Sequence, residues 1–149
     1  MKQEHQGLKS IAMNKKAFHD YHILQKMEAG IVLTGPEIKA IRAGRVNFID
    51  SYVSIDSGQP WLYNLHIQAD VAYGSYQPTQ KRKLLLHKKE IHKISQKVLQ
   101  KGLTIIPLQV VLKNQWAKVI IALAQGKTKY DKRQALKKKE ERRELRNIV

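Results

Sequence analysis

The sequence predicts a mainly β fold: a small antiparallel barrel, closed or partly closed, with short helices attached and a basic tail at its C-terminal end. Three observations carry this. Short runs of β-branched and aromatic residues are joined by turn signals, and the helical stretches do not alternate regularly with strands as crossovers would. The stretch between Asp131 and Arg146 also has too little apolar surface to anchor itself. Barrel closure protects sheet edges in a small, highly charged domain.

Taken in order, the N-terminal stretch MKQEHQGLKSIAMNKKAF has no secretory apolar block and reads as a flexible lead-in. Thr34-Gly35-Pro36-Glu37 ahead of IKAIRAG marks a short helix. Thr34 accepts from the exposed amides, Glu37 reaches back, and Gly44 ends the element, so this cap is structural. SYVSID and QPWLYNLHI flank Ser57-Gly58 and predict a hairpin.

In residues 81–101, Leu84, Ile91, Ile94 and Val98 recur at helical intervals, with Leu85 and Leu99 widening the stripe. This predicts an amphipathic helix with one buried face, stopped by Gly102. LTIIPLQVVLK and WAKVIIALA, separated by Asn114-Gln115, predict a second antiparallel pair with a strongly buried face; Pro107 is expected at an edge or irregular position. The tail ALKKKEERRELR has good helix propensity and acid–base pairs at helical spacing, but little reason to dock on its own domain. One domain is expected over residues 1–133, with residues 134–149 disordered alone and helical on a partner.

Lys and Arg number 28 against 12 Asp and Glu, a formal charge of +16 that favours an extended polyanion as partner. The excess is concentrated. Residues 81–101 carry Lys81, Arg82, Lys83, Lys88, Lys89, Lys93, Lys97 and Lys101 against Glu90, and a second cluster begins at Lys127. An anionic membrane would also need an apolar face or a lipid anchor, and no uncharged span is long enough to cross a bilayer, so a cytoplasmic, non-membrane protein is expected. The absence of cysteine excludes disulfides and cysteine-based zinc sites or catalysis.

Catalytic signals are thin. Gly126-Lys127-Thr128 lacks the upstream glycine of a phosphate loop, since Ile121 stands there. The pairs His19/His22 and His87/His92 have no third ligand nearby, and the serines carry no nucleophile-elbow signal. No enzyme, metal or cofactor is expected. Tyr52, Tyr63, Tyr73, Tyr76, Trp61 and Trp116 fit either core packing or base stacking. A compact strand-rich barrel with a tail that folds on binding leans toward folded RNA or a ribonucleoprotein.

The ordered motifs are Asn14-Lys15-Lys16-Ala17, His19-Asp20-Tyr21, Glu28-Ala29-Gly30, Glu37-Ile38-Lys39, Arg42-Ala43-Gly44-Arg45 and Asp50-Ser51-Tyr52. Arg82-Lys83-Leu84-Leu85-Leu86, Gly126-Lys127 and Tyr130-Asp131-Lys132-Arg133 follow. In this order they resemble the SsrA-binding protein family, also called small protein B, of bacterial trans-translation. The resemblance implies an oligonucleotide-binding-like barrel that binds the tRNA-like domain of transfer-messenger RNA and delivers it to stalled ribosomes. It implies no catalysis. Alanyl-tRNA synthetase and elongation factor Tu act in the same pathway, and the free protein is expected to be a monomer.

By the same resemblance the RNA surface comprises Asn14, Lys15, Lys16, His19, Glu28, Arg45, Lys81, Arg82, Lys83 and Leu85. Asn14 offers amide hydrogen bonds and His19 stacks or donates. Glu28 accepts from base amino groups or positions a basic neighbour, or else is buried or paired. Lys83 neutralises a phosphate, whereas Leu85 seats the helix. The ribosome-facing set is Lys127, Lys129, Asp131, Lys132, Arg133, Lys137, Lys138, Lys139, Arg142, Arg143 and Arg146, on a tail that senses the empty mRNA channel and meets small-subunit rRNA. Asp131 orients Lys132 or Arg133, and Ile148 and Val149 supply a terminal apolar contact. Gln80 stands where relatives commonly carry arginine, so an RNA contact is weakened or moved there, with Lys81 and Arg82 compensating in charge. The competing reading is a ribosome-associated structural RNA-binding protein without rescue activity.

Overall fold

The computed structural model describes residues 8–71 and 74–148, with side chains described throughout these except at 135 and 144–148. In chain order the elements are β1 (Leu8–Met13), α1 (Lys15–Asp20), β2 (Tyr21–Ile31), α2 (Gly35–Arg42), β3 (Val46–Asn47), β4 (Tyr52–Asp56) and β5 (Gln59–Tyr63). β6 (His66–Ile67), β7 (Arg82–Leu85), α3 (Lys88–Lys101), β8 (Thr104–Lys113), β9 (Trp116–Gly126) and α4 (Lys129–Ile148) complete the chain.

Both expected hairpins form. β4 and β5 pair across Ser57 and Gly58, at φ of 52° and 75°, and β8 and β9 pair across Asn114 and Gln115, at 50° and 72°. Positive φ at both turn residues matches the right-handed twist of the flanking strands. The main sheet has seven antiparallel strands in the order β1-β8-β4-β5-β7-β2-β9, and β9 also pairs with β8. This sheet resembles the oligonucleotide-binding topology. The fold is mixed α/β rather than mainly β, because α3 and α4 span 14 and 20 residues beside the short helices. Pro107 takes the irregular position expected of it, at a register break between Pro107 and Gln109.

The helix expected over residues 81–101 splits. Leu84 is 1% exposed and its neighbour Leu85 54%, a strand alternation imposed by lateral pairing. β7 bonds to β5 on one side and to β2 on the other, and these long-range ladders override the helical spacing. α3 starts only at Lys88, where the Glu90 carboxylate accepts from the His87 amide at 3.1 Å. Ile94 seats this helix in the core and Gly102 ends it in a left-handed conformation. Leu85 therefore does not seat the helix, and Leu99, the other residue expected to widen the stripe, is exposed.

Inside the sheet, Val53, Leu62, Leu84, Ile105, Ile121 and Leu123 belong to one buried cluster. A smaller cluster lies on the other face of β8 and β9, where Ala17 of α1 meets Ile106, Leu108, Ala122 and Ala124. β2 serves both faces through a register shift between Ile23 and Gln25. Before it Tyr21 and Ile23 pack toward the small cluster; after it Met27 and Ala29 face the main core.

Arg82 is the sharpest departure from expectation. Assigned to the RNA surface on sequence, it is 3% exposed and ion-paired with Glu37, itself 1% exposed. Arg82 Nε donates to Glu37 Oε2 at 2.7 Å, Nη2 donates to the Pro78 carbonyl at 2.8 Å and the Tyr76 hydroxyl at 3.1 Å, and Nη1 donates to the Leu65 carbonyl. The capping box of α2 forms as expected, with Glu37 Oε1 accepting from the Thr34 amide at 3.0 Å. Burial pushes the Glu37 carboxyl up, but the Thr34 amide and the Arg82 guanidinium outweigh it and hold the group below its ordinary value.

The tail is one helix, Lys129–Ile148, which runs without a break through residues 133 and 134.

Candidate nucleic-acid interface

Asn14 caps α1. Its Oδ1 accepts from the Ala17 amide at 3.3 Å, and its Nδ2 donates to the Pro107 carbonyl of β8 at 2.8 Å. With both ends of the amide engaged, Asn14 acts as the mount for exposed Lys15 and Lys16. These lysines line a cleft of about 370 Å³, whose opposite wall is the 46–51 segment.

The end of α1 holds the root of the tail. Asp20 Oδ1 lies 2.9 Å from His19 Nδ1 and 3.3 Å from Lys132 Nζ, so one carboxylate serves both. The His19 hydrogen bond lowers the Asp20 pKa most, burial opposes it, and Lys132 adds to the lowering. Alongside, His22 Nε2 stands 3.3 Å from Asp131 Oδ2, Lys127 Nζ donates to the Phe18 carbonyl at 3.3 Å, and the Lys127 amide donates to the Asp20 carbonyl at 2.8 Å. Asp131 also caps α4, accepting from the Thr128 amide at 3.2 Å. Its partners are thus Thr128 and His22, not Lys132 or Arg133. Lys15, Lys16 and His19 are brought together with Lys127, Asp131 and Lys132 at one end of the fold.

A second group lies on the outward face of the sheet. Lys26, Glu28 and Gly30 alternate with core-facing Met27 and Ala29 along β2, and Gly30 pairs with Leu85 of β7. A Cβ at Gly30 would lie 3.1 Å from the Leu85 Cβ, so glycine is what lets Leu85 close over β2. Glu28 is half-exposed and 3.8 Å from Lys113 Nζ, the basic neighbour that steadies an acid on a basic surface. Lys83, two residues before Leu85, shares its face and pairs in register with Trp61. Lys26 Nζ, 5.6 Å from the Phe18 ring centroid, links this face to α1.

The chain matches the model of the SmpB protein family over residues 11–149. It belongs to the SmpB family. The SsrA-binding protein of Sulfurihydrogenibium sp. (strain YO3AOP1) is 58% identical over 139 residues, covering 92% of this chain and 91% of that protein. The SsrA-binding protein of Persephonella marina is 52% identical over 141 residues, covering 93% of each. A solved chain, described as tmRNA-SmpB on a journey to the center of the bacterial ribosome, superposes with a TM-score of 0.66 at 41% identity. It covers 84% of this chain and 93% of its own length.

The SmpB residues expected at the surface divide accordingly. Lys15, Lys16 and His19 stand on α1, while Glu28, Lys83 and Leu85 share the outward sheet face. Lys81 is exposed beside Lys83, with its Nζ 4.5 Å from the Trp61 ring centroid. Arg45 joins neither group, because it sits past the end of α2 and pairs with Asp70 at 3.2 Å. Gln80, expected to leave a gap in the RNA surface, donates to Glu37 Oε2 at 3.4 Å. On α4, Lys129, Arg133, Lys137, Lys138, Lys139, Arg142 and Arg143 are exposed. Tyr73 and Val149, the lead-in over residues 1–7, and the side chains of Arg146 and Ile148 lie outside the described residues.

Sequence reasoning missed Asp20 and Lys26 as members of this SmpB surface. Thr128-Lys129-Tyr130-Asp131 carries the same cap spacing as Thr34 and Glu37, a signal that locates the start of α4. Nothing local marks Lys26, whose neighbour Phe18 arrives through the packing of α1. Among the described residues no group of three or more His, Asp or Glu is placed to hold a metal ion, and no helix is long and apolar enough to cross a membrane.

Proposed function

We propose that this SmpB-family chain binds the tRNA-like domain of transfer-messenger RNA and carries it to stalled ribosomes for trans-translation. The observation that carries the reading is the junction at Asp20. There the basic first helix and the root of a long basic helix are fixed to one body, so an RNA-binding face and a ribosome-facing probe keep a set relation. The role is binding and placement, without catalysis. Lys15, Lys16, His19, Glu28, Lys83 and Leu85 meet the tRNA-like domain. Lys and Arg side chains of α4 meet small-subunit rRNA phosphates along the empty mRNA channel, with ordering of residues 134–149 completed there. The ring of pairings from β8 through β4, β5, β7, β2 and β9 back to β8 supports a closed oligonucleotide-binding-like barrel. The protein works in the cytoplasm as a monomer, in a pathway shared with alanyl-tRNA synthetase and elongation factor Tu.

Equilibrium binding to the tRNA-like domain across a salt series, with ordinary tRNA and duplex DNA as competitors, tests this. Strong preference for the tRNA-like domain is expected. Equal binding to all three would reduce the protein to a general polyanion binder.

A further inference from the structure

The outward face of β4 and β5 carries a feature that charge alone does not use. Tyr52 and Tyr63 are directly paired in register, their ring centroids 5.1 Å apart and their planes 13° from parallel. Trp61 lies two residues along β5 on the same face, with Lys81 over its ring and Lys83 in register beside it. Val53 and Leu62 take the opposite face into the core, so the rings outside are not there to fill it. The Tyr63 hydroxyl donates to Asp56, which also accepts from Ser54 Oγ at 3.0 Å, and this fixes the Tyr63 ring against Tyr52. Tyr52 is 43% exposed beside this stack.

From this geometry we infer that Tyr52, Tyr63 and Trp61 form a stacking platform for unpaired RNA bases, extending the outward face of Leu85 and Lys83. The inference rests on the RNA-binding reading above. A duplex hides its base faces and presents phosphates, whereas a splayed-out base presents the flat π-surface that an exposed tyrosine ring matches. Lys81 and Lys83 supply cations for the flanking phosphates, which disfavours an apolar protein segment, and the aromatic faces between them match a base rather than the carboxylates of an acidic one. Asp56 is the one acid in the group, and its carboxylate is engaged by Tyr63 and Ser54.

The test uses full-length protein with Trp116→Phe, so that Trp61 is the sole tryptophan. The probes are a short single-stranded oligoadenylate, a blunt RNA duplex of equal length, and the tRNA-like domain. The oligoadenylate is expected to quench Trp61 fluorescence and the duplex to leave it unchanged. Tyr52→Leu should weaken oligoadenylate binding by about tenfold with the salt slope retained, the loss of one base stack, while Tyr52→Phe binds as the parent does. Circular dichroism confirms that the variants fold, and quenching in the parent is a readout independent of either substitution. No Trp61 response to oligoadenylate, an equal response to duplex, or equal binding by the Leu and Phe variants would overturn the platform. Preference for the tRNA-like domain with a silent Trp61 overturns the platform alone. A Trp61 response with no such preference overturns the function it was read from.

Discussion

Arg82 and Glu37 lie in the core as a hydrogen-bonded pair, with their closest approach at 2.7 Å and three further acceptors around the guanidinium. The pair joins α2 to β7 and to the 65–80 segment. A basic residue in the middle of a basic sequence run is therefore a structural bolt.

Removing one partner strands the other charge in the interior. Arg82→Met is expected to cost about 3–5 kcal/mol of stability, whereas Arg82→Met combined with Glu37→Leu should recover much of that loss. Denaturant unfolding of the single and double variants checks this. A single variant as stable as the parent would mean that water reaches the pair.

Stability should carry an acid limb traceable to Glu37. Its folded pKa lies below the ordinary value of 4.5, so on acidification the unfolded chain takes up the proton first. The pair's contribution is full above that value and is lost as pH falls toward the depressed folded pKa. Comparing urea midpoints against pH for the parent and Glu37→Gln measures it, and the variant should show a shallower decline below 4.5.

Lys83 tests the phosphate contact on the sheet face. Lys83→Glu should weaken binding to the tRNA-like domain and reduce the slope of log affinity against log salt by about one unit or more. An unchanged slope would place Lys83 away from the phosphates.

The tail divides binding from rescue. Deleting residues 134–149 is expected to leave the folded domain and most binding to the tRNA-like domain intact while sharply reducing tagging on stalled ribosomes. Equal tagging by the truncated and full-length proteins would sink the channel-sensing role.

What the sequence made legible was local. Thr34 and Glu37 are three residues apart, and Ser57-Gly58 and Asn114-Gln115 declare their turns by composition, so each could be read without knowing the fold. Arg82 was misread because its acceptors come from positions 17 and 45 residues away as well as from nearby Pro78, a convergence that only the finished sheet creates. The same holds for Leu84 and Leu85, whose helical spacing was real but lost to the ladders on both sides of β7. Of the candidate interface, the residues on α1 were singled out from family motifs, but the hydrogen bond of Asn14 to Pro107 and the sharing of Asp20 depend on β8 and α4 arriving alongside.

The approach of Leu85 to Gly30 ties two distant codons into one evolutionary unit. With 3.1 Å between a Cβ at position 30 and the Leu85 Cβ, and 3.4 Å to its Cδ1, a larger residue at 30 makes Leu85 give by a few tenths of an ångström, so what is tolerated at 30 depends on the side chain at 85. The order in which substitutions arrive then matters, and changes to this part of the outward sheet face are best tolerated as matched pairs.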